Sequence, residues 1–348
     1  MNHTKIEDKS RLEIIDIVKT LALFFVVLGH AANAYTGEYV INSLRMSSFF
    51  HSLTLYLYSF HIPLFIFASG YIYYYCKKER GKYSNFIELF EKKAKRLLIP
   101  FVTVSLLFTL PIRFLLGFHP QSQKYLEFMV HNLIYPLNNL WFLLALFVVF
   151  VLFYALEPVV NKIHWSLSVI LFVTIFFVAS SPAYYWNIFM TQSAFGLLIY
   201  FYLGYLFREK KITIGEKTIF PVICVGVTHF LLFQITLFNR LQFNPNLILA
   251  ANLVKAVLGI LFVLSLCNYA FSRGGLLKNR YTKMIEKRSF GIYLFHEPII
   301  FLVLIVVLPK LWSPLLVVFM ALTISVIVSI IITILLEKNK HTKGIVGG

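Results

Sequence analysis

Long apolar stretches separated only by short polar intervals constrain this chain of 348 residues more than any other feature. A helix needs roughly 20 mostly apolar residues to cross about 30 Å of hydrocarbon. Runs of that order lie near residues 14–36, 47–76, 97–117, 140–156, 166–182, 193–207, 218–238, 247–270, 289–308 and 313–336. Those at 140–156 and 193–207 are short and are expected to extend into their polar flanks or tilt little. The intervals leave no room for a separate globular unit. The expectation is therefore an all-α, polytopic helix bundle of about ten transmembrane helices, one domain over 1–348 with short tails near 1–13 and 337–348.

Charge points the same way. Only 14% of residues are charged and 59% are hydrophobic, yet the formal net charge is +17. A nucleic-acid partner would need an exposed basic domain, and no stretch is long enough to form one, so nucleic acid is set aside. Lys and Arg collect instead in short cytoplasmic loops. With ten spans, 25 of the 32 fall on one side, while the other holds Arg45, Lys124, Arg240 and Lys310. Lys19, Arg113 and Lys255 sit within apolar runs. Both termini are then cytoplasmic.

Cys76, Cys224 and Cys267 have neither CxxC spacing nor an even count, and read as buried packing residues rather than disulfide or metal ligands. Ala32-Asn33-Ala34 looks like a signal-peptidase site. The long polar lead and the interruptions at Asp16, Lys19 and His30 favour a retained first helix instead.

Ionisable groups within a bilayer cost at least about 2.5 kcal/mol each near its centre, so each is a functional candidate. Asp16 and Lys19 are three apart, hence neighbours on one helix face. His30 follows about three turns later on nearly the same face, roughly 16 Å further along. The plain alternative is a snorkelling pair at the interface and a histidine bonded to a neighbouring helix. In the second run, Pro63 removes a backbone bond and Gly70 permits close helix approach, so a kink there would open a cavity beside His61. An imidazole suits proton transfer near neutral pH, although a lone histidine is more often a packing residue.

The basic cluster from Glu91 to Arg96 precedes Pro100 where a helix enters the membrane. Anionic lipid would explain it, and so would a phosphorylated cytoplasmic ligand such as coenzyme A; the Arg273–Arg288 loop has the same ambiguity. In the ninth run His296 and Glu297 place adjacent titratable groups in apolar surroundings, with Lys255 as one conceivable neutralising partner. No metal-ligand cluster, phosphate-binding loop, dinucleotide fingerprint or nucleophile elbow occurs in a supporting context.

The chain resembles the acyltransferase-3 family of membrane acyltransferases, particularly bacterial enzymes that O-acetylate surface polysaccharides. The resemblance covers nearly its whole length. It rests on Ile15-Asp16-Ile17-Val18-Lys19 leading to Leu28-Gly29-His30, on Phe60-His61-Ile62-Pro63-Leu64-Phe65 with Ser69-Gly70-Tyr71, on Arg96-Leu97-Leu98-Ile99-Pro100, on Leu140-Trp141-Phe142-Leu143, and on Gly291-Ile292-Tyr293-Leu294 with His296. Many members carry arginine where this chain has Lys19, which keeps the charge but not a bidentate contact.

The resemblance implies transfer of an acyl group, usually acetyl, from cytoplasmic acyl-CoA to a sugar hydroxyl, without a metal, in the cell membrane of a bacterium and alongside polysaccharide-synthesis proteins. It makes His30 the base or acyl acceptor, with Asp16 and Lys19 behind it and His61 and His296 as secondary candidates. Lys19, Ser69 or Tyr71 could stabilise the oxyanion, and Glu297 supports the site. Lys93, Arg96 and Arg288 suit the phosphates of coenzyme A. Two other readings share the same intramembrane groups: a transporter or exporter, and a structural subunit of a synthesis complex.

Overall fold

The computed structural model describes residues 2–36, 46–118, 123–181, 187–215, 218–239, 243–273, 280–307 and 313–346. Among these residues eleven helices run in the order α1 (Asn2–Ala32), α2 (Ser48–Glu79), α3 (Phe86–Leu115), α4 (Tyr125–Ile134), α5 (Trp141–Val160), α6 (Trp165–Ser180), α7 (Ile188–Glu209), α8 (Phe220–Phe238), α9 (Pro245–Ser272), α10 (Lys283–Ile305) and α11 (Pro314–Lys338). No strand occurs among the described residues. Arg45, Lys217, Arg240, Lys278 and Lys310, which enter the charge count above, lie outside the described residues, as do the ends of two predicted runs at 182 and 308.

Every predicted run is helical over its described residues. Among the described residues eight helices are long and apolar enough to cross a membrane, and α1 and the shorter α6 carry the first and fifth runs. As expected, the two short runs lengthen, to Trp141–Val160 and Ile188–Glu209. Two features differ from the sequence reading. The helix of the first run begins at Asn2 rather than after a 13-residue tail, and α4 occupies what had read as a loop. Leu107, Leu115, Phe238 and Phe319, each more than 60% exposed, point outward from spanning helices, as side chains facing lipid do.

Local chemistry sets the helix ends. Asn85 and Asn244 accept from the backbone N–H groups of Glu88 and Asn246, both at 2.9 Å, and prolines stand in the first turns of α8, α9 and α11, where a missing N–H costs nothing. Helix α2 breaks at Ser59–Phe60, ahead of Pro63, and π-helical turns occur at Tyr75–Glu79, Ala94–Leu98 and Ser105–Thr109.

The most extensive packing is between α2 and α7. It depends on two glycines: a Cβ at Gly70 would lie 1.9 Å from the carbonyl oxygen of Phe201, and one at Gly204 would lie 1.9 Å from that of Phe67. Close backbone approach through small residues is how membrane helices gain contact without a hydrophobic drive. Around this seam Phe67, Tyr73, Phe153, Phe201 and Tyr205 form an aromatic core.

Candidate active site

The predicted polar residues divide into two groups. The first surrounds a cavity of about 410 Å³ lined by Asp16, Lys19, Ser69, Lys93 and Arg96, with Tyr75, Cys76, Phe150 and Tyr293 among the rest of its wall. Asp16 and Lys19 pair at 2.5 Å, as their spacing predicts, and border this space rather than pointing only outward. Lys93 sits with its Nζ 3.6 Å from the ring centre of Phe150 and 5.0 Å from that of Tyr83, so aromatic faces flank it at the cavity wall. Burial pushes the Tyr83 phenol up to about 12.

The second group is a chain of rings from three helices. His61 lies 4.9 Å from Tyr58, Tyr58 lies 6.2 Å from His30, His30 lies 5.2 Å from His296, and His296 lies 6.0 Å from Tyr293, all between ring centres. The α2 break exposes the Leu57 carbonyl, which accepts from His61 Nδ1 at 2.9 Å. His296 Nδ1 likewise donates to the carbonyls of Tyr293 and Ile292, at 2.9 and 3.1 Å. A carbonyl can only accept, so Nδ1 carries the proton in both rings and the neutral imidazole keeps a bare Nε2. For His296 that Nε2 is buried and makes no hydrogen bond among the described residues.

Tyr293 joins the groups, since it walls the cavity and lies beside His296 with its ring tilted at 47°. Its hydroxyl donates to the Asn139 carbonyl, and Asn139 Nδ2 donates back to the Tyr293 carbonyl at 3.0 Å. The start of α5 is thereby pinned to α10. Close by, Glu297 is ion-paired with Arg113 at 3.1 Å, and Arg113 also donates to the Leu137 carbonyl at 3.4 Å. Glu297 Oε2, Arg113 Nε, Asn139 Oδ1 and Asn138 Nδ2 are buried without hydrogen bonds among the described residues.

Several expectations need correction. Lys255 is not the partner of Glu297: it donates to Thr236 at 3.0 Å, while Arg113 neutralises the carboxylate. Tyr71, two residues from Ser69 and so on a different helix face, turns away from the cavity to accept from Arg208 at 3.3 Å. Arg288 pairs with Glu337 at 3.2 Å and is not part of the cavity wall, although Ser289 and Phe290 are.

The basic loops are also less free than their composition suggests. Lys77 and Lys78 both pair with Glu157, which is 1% exposed, and Arg208 forks onto Glu79 at 2.5 and 2.7 Å. Of the cysteines read as buried, Cys224 is exposed and Cys76 is half-buried at the cavity. No group of three His, Cys, Asp or Glu side chains gathers as a metal site would require among the described residues.

Sequence reasoning missed Tyr58, Arg113, Asn138, Asn139 and Glu157 as site or support residues. Arg113 carried a signal, being an isolated cation inside an apolar run; the asparagines in a connecting segment carried none.

The fold is thus a multi-helix bundle of the membrane-spanning kind, with histidines and charge pairs gathered inside it. A family profile described as an acyltransferase domain matches residues 12–334, and the chain belongs to that family, acyltransferase-3. No curated protein and no solved structure matches it. The protein is thus a multi-pass membrane acyltransferase.

Proposed function

We propose that this acyltransferase moves an acyl group, acetyl in the simplest case, from acyl-CoA to a hydroxyl of a cell-surface glycan. The observation that carries the reading is the contact at Tyr293 between a charged cavity and a cluster of histidines. Lys93 and Arg96 suit the phosphates of coenzyme A at the cavity rim, and the apolar remainder of the wall suits the pantetheine arm and acyl chain. The excess of Lys and Arg at that end supports entry from the cytoplasm, with both termini on the same side, in the plasma membrane of a bacterial cell.

In this scheme an imidazole takes the proton of the acceptor hydroxyl as its oxygen attacks the thioester carbonyl. The C–O bond forms, the C–S bond breaks, and the proton passes to the departing thiolate, giving free coenzyme A. His30 is the leading base or transient acyl carrier, and the bare Nε2 of His296, one ring away, is placed to relay or share the proton. Lys19 or Ser69 is the donor for the developing oxyanion at the cavity side; Tyr71 leaves that role because it faces Arg208.

The test uses membranes carrying the intact protein, labelled acetyl-CoA, and unacylated surface glycan from cells lacking the gene. Label should enter the glycan with the natural protein and not with His30→Ala. Unchanged labelling in His30→Ala, together with an altered export phenotype, would replace this reading by transport.

A further inference from the structure

Two adjoining cavities share no wall residue with the proposed donor cavity; one of them meets the chain of rings at Tyr58, whereas the donor cavity meets it at Tyr293. One, of about 450 Å³, is bordered by Tyr58, Ser59, Asn252 and Lys255; the other, of about 440 Å³, by Trp141, Asn187, Gln192 and Gly196. Pro63, Phe176, Ser180 and Tyr200 wall both. Along α2 the donor cavity is walled by residues from Phe65 to Cys76, whereas this pair is walled by residues from Leu55 to Pro63, so the two spaces follow one another along the helix. The helix break at Ser59–Phe60 is what opens the space, because the chain is diverted where Pro63 cannot hydrogen-bond.

The wall chemistry is specific. Trp141, Phe176 and Tyr200 offer aromatic faces, which suit the C–H faces of a pyranose, while side-chain amides, hydroxyls and an ammonium surround them. Tyr200 is only 4% exposed and walls both cavities. A phenol bordering an acyl-chain groove would gain nothing from its hydroxyl, whereas a hydroxyl-bearing ligand offers it a hydrogen-bond partner. Tyr58 then connects this space to the reaction centre, since it walls the larger cavity and lies against both His30 and His61.

We propose that these paired cavities are the acceptor site and hold a sugar ring, stacked on Trp141 and Tyr200, with the hydroxyl to be acylated presented past Tyr58 to the histidines. Donor and acceptor thus approach the imidazoles through separate openings. The inference rests on the acyl-transfer reading and adds to it where the acceptor binds and by which residues.

Gly196 provides the test. A Cβ there meets only Ser180 Oγ, at 3.6 Å, so Gly196→Leu extends into the smaller cavity without a backbone clash. In purified protein supplied with labelled acetyl-CoA and the unacylated glycan, Gly196→Leu should raise the glycan KM by about tenfold or more while the acetyl-CoA KM stays within about twofold. Tyr200→Phe, nearly isosteric, should raise the glycan KM several-fold and leave thermal stability unchanged. If both variants keep the natural glycan KM, the acceptor assignment is wrong. It is equally wrong if native mass spectrometry shows that the natural protein retains phospholipid, that Gly196→Leu loses it, and that transfer is unaffected. Failure of the natural protein to label any glycan would instead reject the acyl-transfer reading itself.

Discussion

Replacing Gly204 with alanine puts a methyl group where the Phe67 carbonyl oxygen now lies 1.9 Å from the ideal Cβ position. Ordinary carbon–oxygen contacts fall at about 3.3 Å or more, so α2 and α7 must separate by roughly 1.4 Å. Both obstructing groups are backbone, and neither can rotate away. Overpacking of this kind costs typically 1–3 kcal/mol, and the rigidity of the seam places Gly204→Ala at about 3 kcal/mol. Gly70→Ala meets the Phe201 carbonyl across the same crossing and should cost about as much.

The two penalties should not add. Once the first methyl has parted the helices, the second occupies space already opened, so the double variant should lose about as much as either single variant rather than about 6 kcal/mol. The assay is reversible unfolding in mixed micelles of the natural protein, both single variants and the double variant, followed by circular dichroism. Losses below about 0.5 kcal/mol for each single change would refute the close approach. Simple additivity would refute the shared displacement. Because α2 carries Ser69 and His61 while α7 carries Tyr200, transfer activity should fall with stability in all three variants.

Removing Arg113 strands a carboxylate that is 3% exposed, so Arg113→Met should destabilise by roughly 3–5 kcal/mol, whereas Arg113→Met combined with Glu297→Gln should recover most of the loss in the same unfolding assay. Lys93→Ala and Arg96→Ala should each raise the acetyl-CoA KM by about tenfold with little change in the glycan KM, and rising salt should reproduce part of that effect in the natural protein; an unchanged acetyl-CoA KM would move the phosphates elsewhere.

Much of the site was readable before any fold was known. A buried charge in an apolar run is legible because lipid makes it expensive, and helical spacing alone pairs Asp16 with Lys19 and aligns His30 beyond them. Gly70 and Pro63 also announced themselves, as a close approach and a helix break, because their backbone chemistry acts wherever they stand. Partner choice did not show. Lys255, Arg113 and Arg288 are each a cation near an apolar segment, and nothing local distinguishes the one that meets Glu297 from the one that meets Thr236 or Glu337.

Sequence alone therefore determined the helical, membrane-spanning class, the positions of the spans and the residue types at the centre, since hydrophobicity and helical period are properties of short segments. Tertiary structure decided which side chains meet: that Tyr71 serves Arg208, that Glu157 gathers two lysines assigned by composition to a free loop, and that the histidines of α1, α2 and α10 form one cluster between separate cavities. Those contacts depend on the rotation and crossing of helices far apart in the chain. Small residues at the seams set that geometry, and no local pattern encodes it.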